Sequence, residues 1–135
     1  MEKITVSAKT ESLESVLEFI GKILSPFGVD SSKQNRIKIA AEEIFINIAS
    51  YAYPDSQGEV TVCAGIERGV FTAEFFDEGI PYNPLDKNEP DISLPPEERE
   101  IGGLGVFMVK KMMDKVDYRY DYEYGRNVLT VSKIL

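Results

Sequence analysis

AAEEIFINIASYAYP, residues 40–54, is the stretch on which the reading of this chain turns. After Glu43 nearly every residue is apolar, yet Asn47 stands among them, one helical turn further on. Side chains at i and i+4 project from the same face of a helix. Ile44, Phe45, Ile46 and Ile48 make this helix apolar almost all round, which predicts deep burial. A buried amide and carboxylate without partners would cost several kcal/mol, so both must meet something polar. Two arrangements satisfy that demand. One is a core network or helix-edge pair; the other is a site where the amide oxygen binds a hard cation and the carboxylate handles a proton.

Upstream, KITVSA (3–8) alternates like a short strand, and residues 13–24 carry Leu13, Val16, Leu17, Ile20, Ile23 and Leu24 at helical spacing behind a Thr10 or Ser12 cap. Pro26 and Gly28 end that helix, and Asp30 or Ser31 caps the next, which runs to about Tyr51. Downstream, GEVTVCAGIE (58–67) and GVFTAEFFD (69–77) form a hairpin around Arg68 and Gly69. Helical periodicity resumes in GLGVFMVKKMMDKV (103–116), and residues 116–135 close the chain as a second hairpin turning at Gly125. Tyr118, Tyr120, Tyr122 and Tyr124 share one parity, which predicts a sheet face packed on the helices, or else a partner surface. The order strand, helix, helix, hairpin, loop, helix, hairpin predicts one α+β domain over residues 1–135. It is a two-layer sandwich with a mixed, mostly antiparallel sheet and helices on one face.

A net charge of −8 argues against general nucleic-acid binding, which needs a basic footprint. It leaves room for a nucleotide held by backbone N–H groups and a divalent cation. The absence of histidine removes His-based zinc sites, Ser-His-Asp chemistry and a phosphohistidine on this chain. Cys63, the single cysteine, lies in an alternating strand and reads as a buried structural thiol. No apolar run is long enough for a membrane span, and the N-terminus lacks the pattern of a signal peptide, so a cytoplasmic protein is expected.

Between Gly79 and Gly103 the periodicity dissolves into Pro, Asp, Glu and Asn, which taken alone is equally a disordered surface insertion or a functional loop, often a lid at this length. Before it stands FFDEGIPYNP (75–84): Asp77 ends a strand and Gly79 permits positive φ or close backbone approach. That is a common strand-terminal turn, or a pocket floor where Asp77 accepts a hydrogen bond from an exocyclic amine. After it stands IGGLGVFMVKK (101–111), where Gly102, Gly103 and Gly105 open a helix. Each glycine weakens the helix start by roughly 1 kcal/mol relative to Ala. The exposed N–H groups and the positive dipole end there suit phosphate.

Together and in this order, the three motifs resemble those of the Bergerat-fold ATPases, which include gyrase and the histidine kinases. EIFIN (43–47) looks like their N box (E-x-x-x-N), DEGIP (77–81) like the first glycine box, and GGLG (102–105) like the second. The compact form, closing on GRNVLTVSK (125–133), is most similar to the anti-sigma-factor serine/threonine kinases. The resemblance implies that Asn47 binds Mg²⁺ bridging the phosphates of ATP and that Glu43 is the catalytic base. It implies that Asp77 reads the adenine amino group with Gly79 beneath the base, and that Gly102, Gly103 and Gly105 give N–H groups to phosphate. Residues 85–102 would be the ATP lid, with Lys87 and Arg99 able to touch phosphate on closure.

Three departures qualify the match. Asn127 follows Gly125 and Arg126 where relatives often have Gly-Thr, which implies a retained but altered contact. Tyr51 replaces a histidine of sporulation-type relatives, and a Thr-Thr-Lys lid element is missing. The function implied is a serine/threonine protein kinase that phosphorylates a STAS-type anti-sigma-factor antagonist and binds an RNA polymerase sigma factor, with a homodimer carried over from relatives. The sequence contains neither a phosphoacceptor His nor a dimerisation helix pair, so a sensor histidine kinase is not expected. The alternative is a nucleotide-gated binding module without kinase activity.

Overall fold

The computed structural model describes residues 1–86 and 103–135. Asp30 starts the helix on which the site is built: its carboxylate accepts from the Lys33 N–H at 2.9 Å, and α2 follows as Ser31–Tyr51. Before it come strand β1 (Glu2–Ser7), a 3-10 turn at Thr10–Ser12 and helix α1 (Leu13–Leu24). Ser12 occupies the cap position of α1, but neither it nor Thr10 caps by side chain, because the helix continues directly from the 3-10 turn. Strands β2 (Glu59–Glu67) and β3 (Val70–Asp77), helix α3 (Gly103–Met112) and strands β4 (Lys115–Asp121) and β5 (Arg126–Ile134) complete the order. The periodicity expected to carry α3 on to residue 116 stops at Met112, since Lys115 and Val116 already pair with β5.

The sheet runs β1-β2-β3-β5-β4, and every neighbouring pair is antiparallel, so the mixed sheet expected from the sequence is antiparallel throughout. Arg68 and Gly69 both have positive φ, +52° and +75°, which gives the two-residue turn whose twist matches a hairpin. Register then decides which side chains share a face. Val60 stands opposite Asp77, Val62 opposite Phe75 and Ala64 opposite Ala73; Phe75 in turn pairs with Leu129 and Asp77 with Asn127. This face carries the core, with Val16, Ile20, Ile23 and Leu24 of α1 and Ile37, Ala40, Ala41, Ile44 and Phe45 of α2 packed on it. The predicted two layers are therefore present, with the three α-helices of the described residues on one side.

Two expectations about faces change. Cys63 points to the opposite, helix-free face and is half-buried rather than buried. The tyrosine stripe is cut short: Tyr118 and Tyr120 lie half-buried on the helix side, whereas Tyr122 and Tyr124 are 89% and 65% exposed. The strand ends at Asp121, whose carboxylate accepts from the N–H groups of Glu123 and Tyr124 and folds the chain into a turn. Among the described residues no helix is long and apolar enough to cross a membrane.

Candidate functional site

Helix α2 is one wall of a cleft whose other walls come from the inner sheet face and α3. The larger lobe, about 500 Å³, is lined by Asn47, Ser50, Tyr51, Asp77, Tyr118 and Asn127 among others. The smaller, about 230 Å³, is lined by Glu43, Asn47, Leu85, Val106 and Val109 among others. The two share Ile44, Asn47, Ser50, Tyr51, Pro84 and Leu129, so they are one continuous depression with Asn47 at the junction. A cleft of this size and mostly apolar lining, with a few polar groups in it, suits a small organic ligand. Glu43 and Asn47 are half-buried, not deep in the core as the apolar helix predicted. Their face of α2 looks into the cleft, while Ile37, Ala41, Ile44 and Phe45 supply the burial.

At the far end of the larger lobe, Asp77 and Asn127 are each 6% exposed. Asp77 Oδ1 accepts from the Asn127 amide at 2.9 Å and from the Gly79 N–H at 3.0 Å. Asn127 also donates to the Ile80 carbonyl at 2.9 Å, and its Oδ1 accepts from the Tyr82 N–H at 3.1 Å and from the Tyr118 hydroxyl. Both amide hydrogens and both acceptor sites of Asn127 are thereby used within the protein. Burial pushes the Asp77 carboxyl above its usual range, and the hydrogen bonds from Asn127 and Gly79 oppose that rise. Burial likewise raises the Tyr118 hydroxyl.

Gly79 serves a close approach, but to the end of α2. A Cβ there would overlap the Ala52 carbonyl and lie 2.6 Å from the Ala52 side chain, and the Ile80 N–H donates to that same carbonyl at 3.0 Å. Gly103 opens α3 and Gly105 lies in its first turn, one residue before the cleft-lining Val106. Gly102, Lys87, Arg99 and most of the expected lid fall outside the described residues. Of the sequence candidates, Glu43, Asn47, Asp77 and Asn127 line the cleft, with α3 entering its smaller lobe. The sequence reading missed Tyr118 and Tyr82 as partners of Asn127. The signal for Tyr118 was its parity with Val116, which puts it on the inner face beside Leu129.

Magnesium suits the donor chemistry available. Among the described residues no cluster of three carboxylate, thiol or imidazole side chains could enclose a metal. The smaller lobe does hold one carboxylate and one amide oxygen, and Mg²⁺ needs little more from a protein when substrate phosphates and water complete its shell.

A family model described as the histidine kinase-like ATPase domain matches residues 6–133. The serine-protein kinase RsbW of Bacillus mycoides is 25% identical, covering 98% of this chain and 84% of that protein. The anti-sigma F factor of Clostridium acetobutylicum is 24% identical, covering 97% of this chain and 82% of that one. Among solved structures, that of the RsbU and RsbW domains of a Mycobacterium tuberculosis protein shares the fold over the whole chain, with a TM-score of 0.68 and 17% identity. This chain spans 33% of that structure's chain. On fold, cleft and family match together, the chain belongs to the histidine kinase-like ATPase domain family.

Proposed function

We propose that the chain is an ATP-dependent serine/threonine protein kinase. Its acceptor is a Ser or Thr of a STAS-type anti-sigma-factor antagonist, and it also binds an RNA polymerase sigma factor, in the cytoplasm. The observation that carries this reading is the two-lobed cleft, with an acceptor carboxylate at one end and a carboxylate–amide pair at the other. The names of the two curated relatives, a serine-protein kinase and an anti-sigma factor, support the same reading.

In this reading adenine occupies the larger lobe, where Asp77 accepts a hydrogen bond from its exocyclic amine. Asn127 acts there by holding Asp77, since its own hydrogen-bonding capacity is spent. The triphosphate runs past Asn47 into the smaller lobe, towards the N-terminus of α3, where Gly102, Gly103 and Gly105 offer N–H groups. Asn47 would hold Mg²⁺ with the phosphates, and the ion would neutralise charge as it develops. Glu43 takes the proton of the acceptor hydroxyl while that oxygen bonds to the γ-phosphorus and the β–γ bridge breaks, releasing ADP. Residues 85–102 act as the lid over the γ-phosphate, and two copies of the chain associate.

The test is transfer of label from ATP to the neighbouring STAS protein by the purified chain, with Glu43→Ala abolishing it. No transfer to any STAS candidate despite nucleotide binding would sink the kinase reading and leave a nucleotide-gated binding module.

A further inference from the structure

Among the described residues, one buried cation takes no part in the cleft. Lys133 is 8% exposed and sits on the inner face of β5, opposite the fully buried Phe71. An ammonium out of water is unfavourable unless something compensates it. Among the described residues no carboxylate pairs with it; its Nζ donates instead to the Met112 carbonyl at 2.9 Å. Met112 is the last residue of α3, where carbonyls lack helical partners and the helix dipole favours positive charge.

Two further bonds fasten the same end to β5: the Asp114 N–H donates to the Ser132 carbonyl at 2.9 Å, and the Ile134 N–H to the Asp114 carboxylate at 2.7 Å. The other end of α3 is weak by composition, with Gly103 and Gly105 in its first turn. A helix of ten residues does not hold itself in water, so its direction is set by what it is attached to. An apolar side chain at 133 would fill the inner face without desolvating a charge, so the lysine is better accounted for by the helix end it grips.

We propose that Lys133 is a positioning residue for the phosphate end of the nucleotide. From the C-terminus of α3, roughly 15 Å from its start, it fixes the direction of the helix whose first turn faces phosphate. The proposal rests on the nucleotide reading above, and deepens it by separating what holds the base from what holds the phosphates. The base lobe is built from α2, β3, β4 and β5 without α3, so losing this anchor should leave base binding nearly intact.

Calorimetric titration of the full chain with Mg·ATP and, separately, with adenosine tests it. Lys133→Met should weaken Mg·ATP about tenfold while adenosine stays within about twofold of wild type, and Lys133→Arg should return most of the ATP affinity. A general loosening of the fold would move both ligands together, so an equal loss for both, or none for either, overturns the positioning role. Should Lys133→Met not fold, Lys133→Leu carries the same comparison, again with neither charge nor donor. If the wild-type chain binds neither ligand, the nucleotide reading itself falls, and this proposal with it.

Discussion

Asn127 and Asp77 stand opposite each other at adjoining ends of β5 and β3, and the Asn127 amide donates to the Asp77 carboxylate across 2.9 Å. The same carboxylate oxygen accepts from the Gly79 N–H, so the rotamer of Asp77 is set from two directions. No described residue donates to the other oxygen, Oδ2, which under the proposed function is the acceptor for the adenine amine in the larger lobe. An acceptor-only group at the floor of an apolar lobe selects a ligand that brings an N–H.

Asp77→Asn should therefore divide binding from stability. The variant keeps an oxygen for Gly79 and Asn127 but turns the ligand-facing acceptor into a donor. Mg·ATP affinity should fall about a hundredfold, the scale of a charge-assisted hydrogen bond of roughly 2–3 kcal/mol. Chemical denaturation at neutral pH should show the variant no less stable than wild type, because a buried charge has gone. Calorimetry and denaturation on the same preparation check both halves.

The pH dependence of that comparison follows from the raised carboxyl of Asp77, which burial causes. In the pH range between the unfolded value of 3.8 and the higher folded value, the folded chain keeps a proton that the unfolded chain has lost. The stabilising contribution of Asp77 is thus full below 3.8 and is lost as pH rises through its folded value. The stability of Asp77→Asn relative to wild type should increase across that range and then level off. A difference that shrinks with rising pH would contradict the burial of Asp77.

Much of this arrangement was legible in the chain, because hydrophobic period and turn chemistry act locally. The alternation in residues 59–67 and 70–77, the Arg68–Gly69 turn and the Asp30 cap each specify their element without help from afar. What was not legible depends on register between distant segments. That Asn127 would meet Asp77, Tyr82 and Tyr118 follows from how β3, β4 and β5 align. Tyr122 shares the parity of Tyr118, yet a carboxylate at 121 turns the chain before the pattern can continue. Lys133 looks like any surface lysine in sequence until β5 is placed between β3 and β4 in the helix-covered sheet, beside the end of α3.

Gly79→Ala should destabilise the fold by roughly 1–3 kcal/mol, the range for overpacking a tight site. The added methyl meets the Ala52 carbonyl, which already accepts from Ile80, so the backbone that would have to yield is the junction between α2 and the β3 exit. Gly28→Ala is the control. Its φ is +63° with nothing within 4 Å of a Cβ, so the cost there is conformational only, about 1 kcal/mol. Thermal melts of the pair should rank Gly79→Ala as the worse.

Tyr118→Phe removes one of the two donors that Asn127 Oδ1 accepts from, while the Tyr82 N–H remains. The expected loss is about 1 kcal/mol of stability, with a smaller effect on Mg·ATP affinity than Asp77→Asn. If Asn127 instead met the ligand directly, the loss in affinity would match or exceed that of Asp77→Asn.

Glu42 and Glu43 give the sharpest control on the chemistry, since they are neighbours on one helix, both half-buried, and differ in direction by about 100°. Only Glu43 lines the cleft. Glu42→Ala should leave phosphoryl transfer within about twofold, whereas Glu43→Gln should lower it by two to four orders of magnitude, the usual span of a general base at about 10²–10⁴. At a Mg·ATP concentration a hundred times the wild-type dissociation constant, the Gln variant should still gain about 2.7 kcal/mol of stability, as a single-site binder of unchanged affinity does. Loss of transfer with that gain retained assigns Glu43 to the proton. Loss of both would assign it to holding the metal and phosphates, and the base would then have to be sought elsewhere in the cleft.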